Sequence, residues 1–498
     1  MSTAYAELQD RFARMSAISG AQSILSWDQA TMMPAGGAPA RSRQLAVLSV
    51  LNHEILTAPE TGGLLDRAMA AAGELTSMQH ANLNEMQRLR IHACAVPASL
   101  VEALSHASAK CELTWRSARA DNDFAALAPM LSELVSLVRE SAAARADALG
   151  VTPYEALVDL FDPGSRVADI DRLFGELQAF LPDLVLRIMD KQASATKPVL
   201  PTGPFPIDAQ EQLARALMQR IGFDFTHGRL DTSHHPFSGG VPEDCRITTR
   251  YDTQDFTSSL MAVVHETGHA LYERGLPLEW ADQPVGRARG MTMHESQSLL
   301  YEMQAARSDQ FLGWLTEELR TSFGASGPEW DTRNITALYR KVGSSLIRVD
   351  ADEVTYPLHI MLRYELERAL IDGSLKVSDL PAAWNENMRE RLGITPGDDA
   401  TGCLQDIHWP SGAFGYFPSY TLGALTAAQM FKSACNAGPD ILPELTRGRF
   451  GRLNSWLRDN VHRKASIYST PELIEQATGQ VLGTATFRAH LEQRYLLD

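Results

Sequence analysis

Apolar residues recur along most of the chain with the spacing of one helix face. Between 131 and 138 they occupy positions i, i+3, i+4 and i+7, as Leu131, Leu134, Val135 and Val138. Long stretches rich in Ala, Leu, Glu and Arg share this helical character: 41–57, 75–95, 100–150, 168–192, 208–221, 292–322, 333–372 and 420–436. The pattern predicts a mostly α protein.

Two further helices are predicted from their boundary residues. The stretch 256–274 is helical in composition, Asp252 and Asp255 are placed to cap its start, and Gly275 ends it. Near the C-terminus, Thr470-Pro471-Glu472 predicts an N-cap followed by proline at the first helical position, and so the start of a last helix.

The middle of the chain follows a different pattern. Residues 195–206 contain four prolines, and residues 234–242 have loop composition. Cys245–Tyr251 is short and rich in β-branched residues, which predicts a strand of a small antiparallel β ribbon. The proline-rich stretch is either a domain linker or a surface crossover within one large helical body. We favour the crossover, so residues 1–498 are predicted to form a single domain.

Composition and charge narrow the classes of function. The 498 residues are 44% hydrophobic and 21% charged, which is typical of a folded globular protein. Lys and Arg number 45 against 61 Asp and Glu, a net charge of −16 that argues against nucleic-acid or anionic-membrane partners. No apolar stretch approaches the ~18 residues of a membrane span. The N-terminus lacks the pattern of a signal peptide, so a cytoplasmic location is expected.

The five cysteines are odd in number, far apart and never form a CxxC pair. This argues against a disulfide framework and against a thiolate zinc site.

His265-Glu-Thr-Gly-His269 is the strongest chemical signal in the chain. The i, i+4 spacing places both imidazoles on one face of the predicted helix, where they can bind a single zinc ion. Glu266 follows the first histidine and can take a proton from a zinc-bound water. The flanking residues are apolar, so the helix is expected to be buried, and two unpaired buried histidines would be costly.

A catalytic zinc site requires a third protein ligand and leaves the fourth position for water. Glu273 lies on the same helix but one turn too far along it. Glu295 opens a second predicted helix that can face the two histidines, and His294 is the competing ligand. The spacing favours Glu295 and leaves the alternatives open.

Several further motifs occur in one order along the chain. They are Trp27-Asp-Gln-Ala-Thr-Met-Met-Pro34, Asp244-Cys-Arg-Ile-Thr248, His265-Glu-x-x-His269, His294-Glu-Ser-Gln297, Ile347-Arg-Val-Asp-Ala-Asp352 and Gly402-Cys-Leu-Gln-Asp-Ile-His-Trp409. In this combination the chain resembles the carboxypeptidase Taq family of zinc metallocarboxypeptidases. The resemblance runs from residue 27 to residue 420, nearly the whole chain, and it implies that Glu295 is the third zinc ligand.

The resemblance also carries expectations about fold and activity. It implies one mostly helical body with a deep substrate groove and a small β ribbon, usually assembled as a homodimer. It implies one zinc ion per chain, for which cobalt can substitute. The implied activity removes single residues from peptide C-termini with broad specificity and a poor response to proline.

Peptide hydrolysis also requires a donor that faces the oxyanion. The segment 408–420 offers His408, Tyr416 and Tyr420. Related helical zinc peptidases use a tyrosine after a similar Gly-Tyr element, which favours Tyr416, with Tyr420 second. The alternative is that these aromatic residues only pack the groove wall.

A carboxypeptidase must bind a free carboxylate, for which the arginine fork is suited. Arg348 lies in a predicted apolar helix and is the first candidate; the alternative is a buried ion pair with Asp350 or Asp352. Arg246 and Arg250 share a face of the predicted strand, where they can close the end of the groove.

Two other groups of charged or polar residues each have a functional and a structural interpretation. His234 and His235 either contact the substrate or are simply solvated. A basic cluster near the C-terminus is interpreted as a solvated or acid-paired surface and not as a nucleic-acid site; its members are Arg447, Arg449, Arg452, Arg458, Arg463 and Lys464.

Together these observations predict a cytoplasmic zinc carboxypeptidase. The nearest alternative is an oligopeptidase or endopeptidase on a similar helical scaffold, which would bind the middle of its substrate. A more distant alternative is a zinc-stabilised peptide-binding protein without turnover. A general base beside an open zinc position argues against the last of these.

Overall fold

Helices dominate the fold, as the spacing of apolar residues predicts. The structure is a computed structural model that describes residues 3–497. Met1, Ser2 and Asp498 lie outside the described residues, and with them the first two positions of the N-terminus considered above. The α-helices, labelled in chain order, are α1 Thr3–Thr31, α2 Ala38–Thr57, α3 Pro59–Ala70, α4 Ser77–Ala95, α5 Ala98–Asp121, α6 Phe124–Leu149, α7 Pro153–Val158, α8 Val167–Ser194, α9 Ile207–Ile221, α10 Thr257–Gly275, α11 Gly290–Leu299, α12 Asp309–Phe323, α13 Thr332–Tyr339, α14 Tyr356–Asp372, α15 Leu380–Leu392, α16 Pro418–Ala437, α17 Ile441–Leu445, α18 Gly451–Asn460, α19 Thr470–Thr478 and α20 Ala485–Tyr495.

The predicted continuous helix over 100–150 is two helices. Asn122 adopts a left-handed conformation with a φ of 55° and ends α5. The Asp123 side chain then caps α6 by accepting a hydrogen bond from the Ala126 N–H at 3.0 Å. An Asn-Asp pair supplies both a helix stop and a helix start, a local signal that outweighs the helical composition around it.

The predicted helix over 333–372 is also wrong in its middle. Between α13 and α14 the chain forms a loop that contains a short 3₁₀ turn, Arg348–Asp350, so Arg348 does not lie in an apolar helix. Asp352 holds this loop by accepting hydrogen bonds from the N–H groups of Gly343 and Thr355, each at 3.0 Å. Pro357 then occupies the first turn of α14, where a missing N–H costs nothing.

Two other predicted helix starts need correction. In α10 the Asp255 carboxylate accepts from the N–H of Thr257 at 2.8 Å, whereas Asp252 closes a turn on Gln254 before the helix begins. The N-cap of α19 is Ser469 and not Thr470, and α20 follows, so α19 is not the last helix.

The run over 292–322 contains an irregular centre. The helix α11 continues into a π-helical segment, Leu300–Ala305, and α12 begins only at Asp309. Ser308 marks that start by accepting a hydrogen bond from the Phe311 N–H at 3.2 Å.

The β structure is a mixed three-stranded sheet in the order β1-β3-β2: β1 Gly228–Thr232, β2 Phe237–Val241 and β3 Asp244–Thr249. The predicted strand corresponds to β3, which pairs antiparallel with β2 and parallel with β1. The prediction of an antiparallel ribbon is therefore confirmed for β2 and β3 only. The prediction of a loop over 234–242 is wrong where β2 lies. Gly239 and Gly240 have a low strand propensity, so the sequence of β2 lacks the pattern of a strand.

Two glycines bring the helices of the site close together. A Cβ on Gly268 in α10 would lie 2.7 Å from the Cα of Ser298 in α11, so α11 packs directly against α10. A Cβ on Gly423 in α16 would lie 2.8 Å from the Cβ of Glu295. The two close approaches fix Glu295 between α10 and α16, beside the predicted metal-binding histidines.

Two remaining expectations concern the chain as a whole. All five cysteines are free thiols in the structure. Among residues 3–497, no helix combines the length and the apolar character that a membrane span requires.

Candidate active site

Three side chains from two helices converge on one point. His265 and His269 lie one turn apart on α10, and Glu295 projects from α11. The Nε2 atom of His265 is 3.9 Å from one Glu295 oxygen, and the Nε2 atom of His269 is 3.7 Å from the other. One ligand atom from each residue lies within 4.8 Å of the other two. The structure therefore brings together the three residues that the sequence favours as metal ligands.

The electrostatics of this group suit a divalent cation. Burial raises the pKa of the Glu295 carboxyl. Burial alone would lower the pKa of His265, but the carboxylates of Glu295 and Glu302 raise it to about 10. The site thus contains buried negative charge that needs a positive partner. Two imidazole nitrogens and one carboxylate oxygen are also a donor set that zinc takes in catalytic sites.

Glu302 orients the first of these histidines. Its Oε2 lies 2.9 Å from His265 Nδ1, and its Oε1 accepts a hydrogen bond from Arg307 at 2.7 Å. Glu302 lies in the π-helical segment and is buried. A carboxylate on Nδ1 places the Nδ1 proton on that side and leaves Nε2 free to bind a metal.

The competing ligands His294 and Glu273 are not among the three residues whose ligand atoms converge. They bind each other, with His294 Nε2 2.8 Å from the Glu273 carboxylate. The backbone carbonyl of His294 lies 3.0 Å from His269 Nδ1. His294 therefore contacts a proposed ligand both through its main chain and through its ring, whose Nδ1 lies 2.7 Å from His269 Nδ1.

Glu266 faces a cavity of about 920 Å³ that we call the metal-site cavity. The three residues of the metal group line it as well. Burial, opposed by His265 and assisted by Glu295, raises the pKa of Glu266 to about 7. A carboxylate with a raised pKa beside a metal-binding group has the properties of a general base.

Tyr416 and Tyr420 both line this cavity, with ring centroids 5.2 Å apart. His408 lies behind them, and its Nε2 is 3.2 Å from the Tyr420 hydroxyl. Burial lowers the pKa of His408 to about 4, so its ring is neutral near pH 7. His408 is not among the residues that line the cavity, whereas both tyrosines present phenol groups to it.

A buried glutamate fixes the loop that carries these tyrosines. Glu367 accepts hydrogen bonds from the Gly415 N–H at 3.1 Å, from the Trp409 indole at 2.9 Å and from the Tyr154 hydroxyl at 2.7 Å. Its side chain is fully buried, and burial raises its pKa to about 7. Three donors on one carboxylate hold the chain rigidly just before Tyr416.

Arg348 also lines the metal-site cavity, and it belongs to a charged cluster. Its Nε donates to one oxygen of Asp406 at 2.9 Å, while the Nε of Arg363 donates to the other at 2.6 Å. Arg363 is fully buried, so only Arg348 reaches the cavity. The predicted alternative partners, Asp350 and Asp352, were wrong. Because two arginines share one aspartate, the cluster keeps one surplus positive charge.

Sequence and structure comparisons place the chain among known proteins. The family profile described as Carboxypeptidase Taq (M32) metallopeptidase matches residues 7–495. The chain belongs to the M32 family.

Individual relatives agree with this assignment along the whole length of the chain. The M32 chain is 38% identical to Thermostable carboxypeptidase 1 of Thermus thermophilus, over 95% of this chain and 94% of the relative. Carboxypeptidase 1 of Bacillus subtilis is 32% identical, with 98% and 97% covered. Metallocarboxypeptidase 1 of Trypanosoma cruzi superposes with a TM-score of 0.97 at 40% identity, with 99% of each chain covered. The protein is a metallocarboxypeptidase.

The other candidate arginines of this M32 protein lie outside the metal-site cavity. Arg246 is held by Asp244 at 2.6 Å and stacks over Trp27, with its guanidinium carbon 4.5 Å from the ring centroid. Arg250 is exposed after the end of β3. The ion pair and the stacking satisfy Arg246 without any substrate.

The remaining predicted polar groups are at the surface of the M32 fold. His234 and His235 are exposed, and the segment that follows them, 236–238, lines the cavity in their place. Four of the six members of the basic cluster pair with acids; the pairs are Arg447 and Arg449 with Glu444, Arg452 with Asp440, and Arg463 with Asp459.

Four contributors to the site escaped the sequence reasoning: Glu302, Arg307, Glu367 and Asp406. Glu302 follows Glu295 by seven residues, which is two helical turns, so a search for a second carboxylate on the same face would have found it. Asp406 stands in a recognised motif, but its partner Arg348 is 58 residues away. Nothing local marks Glu367.

Proposed function

We propose that this M32 protein is a zinc-dependent enzyme that releases single amino acids from peptide C-termini with broad specificity. One observation carries the proposal: a metal-binding group and a surplus positive charge at Arg348 line the same cavity. The first suits hydrolysis of a peptide bond. The second suits the free carboxylate that distinguishes the end of a peptide from its middle.

His265, His269 and Glu295 would hold the zinc. When bound, zinc supplies a Lewis acid and makes water acidic enough to lose a proton near neutral pH. Glu266 accepts that proton and passes it to the departing amine. Its burial favours both steps, because a carboxyl group with a pKa near 7 can accept and release a proton at neutral pH.

Tyr416 and Tyr420 are the proposed hydrogen-bond donors to the oxyanion. Burial keeps both phenols protonated, since it raises the pKa of each well above its usual value. A neutral hydroxyl held in a desolvated cavity stabilises developing negative charge effectively. The loop fixed by Glu367 favours Tyr416, because the hydrogen bond from Gly415 directly precedes it.

Arg348 is the proposed binding group for the C-terminal carboxylate. Asp406 uses one edge of the guanidinium and the Tyr356 hydroxyl accepts from Nη1 at 2.7 Å. The shared aspartate leaves the cluster positively charged, so an incoming carboxylate restores neutrality. A cavity of about 920 Å³ has room for large and small terminal side chains, which supports broad specificity.

The identity of the metal is also part of the proposal. Zinc is favoured by the donor set of two imidazoles and one carboxylate, and cobalt is expected to substitute for it. Assembly as a homodimer, residence in the cytoplasm and the organisation of 1–498 as one domain stay predictions from the sequence.

Amidating the C-terminus of a peptide substrate is expected to lower kcat/KM by about ten- to over a hundredfold. Amidation removes the negative charge that would pair with Arg348, and charge-assisted hydrogen bonds contribute ~1.5–3 kcal/mol. Initial rates on matched free and amidated peptides measure this ratio. Equal cleavage of the two peptides would contradict the carboxypeptidase mechanism.

Arg348→Ala tests the same interaction by a change in the enzyme and not in the substrate. In this variant kcat/KM for free peptides should fall to the value for amidated ones. The difference disappears because the binding partner is then missing in both cases. Arg246→Ala is the matched control and should preserve the difference, since Arg246 is bound by Asp244 outside the cavity. A difference that survives in Arg348→Ala but disappears in Arg246→Ala would transfer the role to Arg246.

Glu302→Gln is expected to weaken zinc binding by about ten- to a hundredfold, the usual effect of losing an orienting partner of a metal-bound histidine. The neutral amide accepts the His265 proton less strongly and can present its NH₂ instead. Competition with a chromogenic chelator measures the affinity directly. Unchanged zinc affinity in a folded Glu302→Gln protein would show that this contact does not support the metal site.

A further inference from the structure

A second cavity adjoins the metal-site cavity. It has a volume of about 560 Å³, and we call it the side cavity. Met291 and His294 line both cavities. Strand β2 also runs from one to the other, because residues 237–238 line the metal-site cavity and residues 240–241 line the side cavity. The two cavities therefore adjoin each other beside the metal group.

Arg287 supplies a positive charge to the wall of the side cavity. It is exposed on the cavity wall, and no carboxylate among the described residues forms an ion pair with it. Its neighbour Arg289 differs, because it pairs with Glu85 at 2.6 Å. Glu273, whose charge acts on Arg287, already binds His294.

The position of Arg348 decides which part of a substrate can reach this charge. Arg348 lines only the metal-site cavity, so the residue after the scissile bond is held there. The side cavity is then left for residues before the scissile bond. Its wall also includes the apolar side chains of Leu160, Phe161 and Leu276, which can contact the rest of that segment.

We propose that the side cavity binds the substrate segment upstream of the scissile bond, and that Arg287 selects an acidic side chain within it. This inference rests on the proposed function, because it takes the substrate to be a peptide whose C-terminal carboxylate is bound by Arg348. A guanidinium without a partner binds Asp or Glu more tightly than the uncharged Asn or Gln.

The test is a set of hexapeptides that differ at one upstream position at a time. Each position carries either Glu or the isosteric Gln, and the ratio of kcat/KM for release of the C-terminal residue is measured. At one upstream position the enzyme should prefer Glu by about fivefold or more. Arg287→Gln should reduce that ratio to about one, and Arg287→Lys, which keeps the charge, should retain part of it.

Arg116→Gln is the matched control, because Arg116 is exposed on α5 and lines neither cavity. This variant should keep the preference of the unmodified enzyme. A ratio near one at every upstream position would overturn the inference while leaving the carboxypeptidase mechanism intact, and so would a preference that persists in Arg287→Gln. Failure of the zinc-loaded enzyme to hydrolyse any of these peptides would instead contradict the proposed function, and the inference with it.

Discussion

Glu266→Gln is expected to lower kcat by at least ~10²-fold while zinc remains bound. The amide matches the shape of the carboxylate but cannot accept the proton of the attacking water or deliver one to the leaving amine. Glu266 is not one of the three residues whose ligand atoms converge, so the metal group itself is unchanged. Steady-state kinetics together with zinc content by mass spectrometry provide the two readouts.

Glu295→Ala separates the role of ligand from the role of base. This variant removes one of three converging ligand atoms, so zinc occupancy should fall along with activity. A Glu266→Gln protein that loses its zinc, beside a Glu295→Ala protein that keeps full occupancy, would show that the two roles are assigned to the wrong residues.

Removal of the metal by a chelator should abolish peptide hydrolysis and leave most of the helical structure in place. The ligands lie on α10 and α11, and the close contact of Gly268 with Ser298 holds these helices together without a metal. Circular dichroism measures the helix content, and re-addition of zinc should restore the activity. The melting temperature should fall, because the buried carboxylate of Glu295 loses its cation.

Two outcomes would contradict this prediction. Hydrolysis at the untreated rate after complete removal of metal would exclude a role for the ion in catalysis. Cooperative loss of all helical signal on chelation would instead mean that the metal holds the fold together.

The metal group was predictable because its strongest constraint is local. The separation of four residues between His265 and His269 determines that both rings share one helix face, whatever the rest of the chain does. The position of Glu295 opposite them is determined by tertiary packing. It depends on Gly268 and Gly423, whose missing side chains let α11 pack between α10 and α16.

The partner of Arg348 could not be deduced from sequence distance. Asp350 and Asp352 lie close to Arg348 in the sequence, yet Asp352 binds the backbone of its own loop. Asp406 reaches Arg348 because Arg363 on α14 holds its other oxygen. A pair formed across 58 residues follows from the packing of helices and leaves no periodic signal.

The errors in secondary structure arose where single residues outweigh composition. Asn122 and Asp123 divide a run with continuous helical character, and two glycines hide strand β2. In both places one or two residues outweigh the composition of the segment around them.

The most direct test of C-terminal trimming is time-resolved mass spectrometry of one unblocked peptide incubated with the zinc-loaded protein. The mechanism predicts a ladder of products that lose one residue at a time from the C-terminus, in the order of the peptide sequence. The N-terminal residue should remain on every truncated product. Internal fragments that appear before any terminal residue is released would contradict binding of the terminal carboxylate at Arg348.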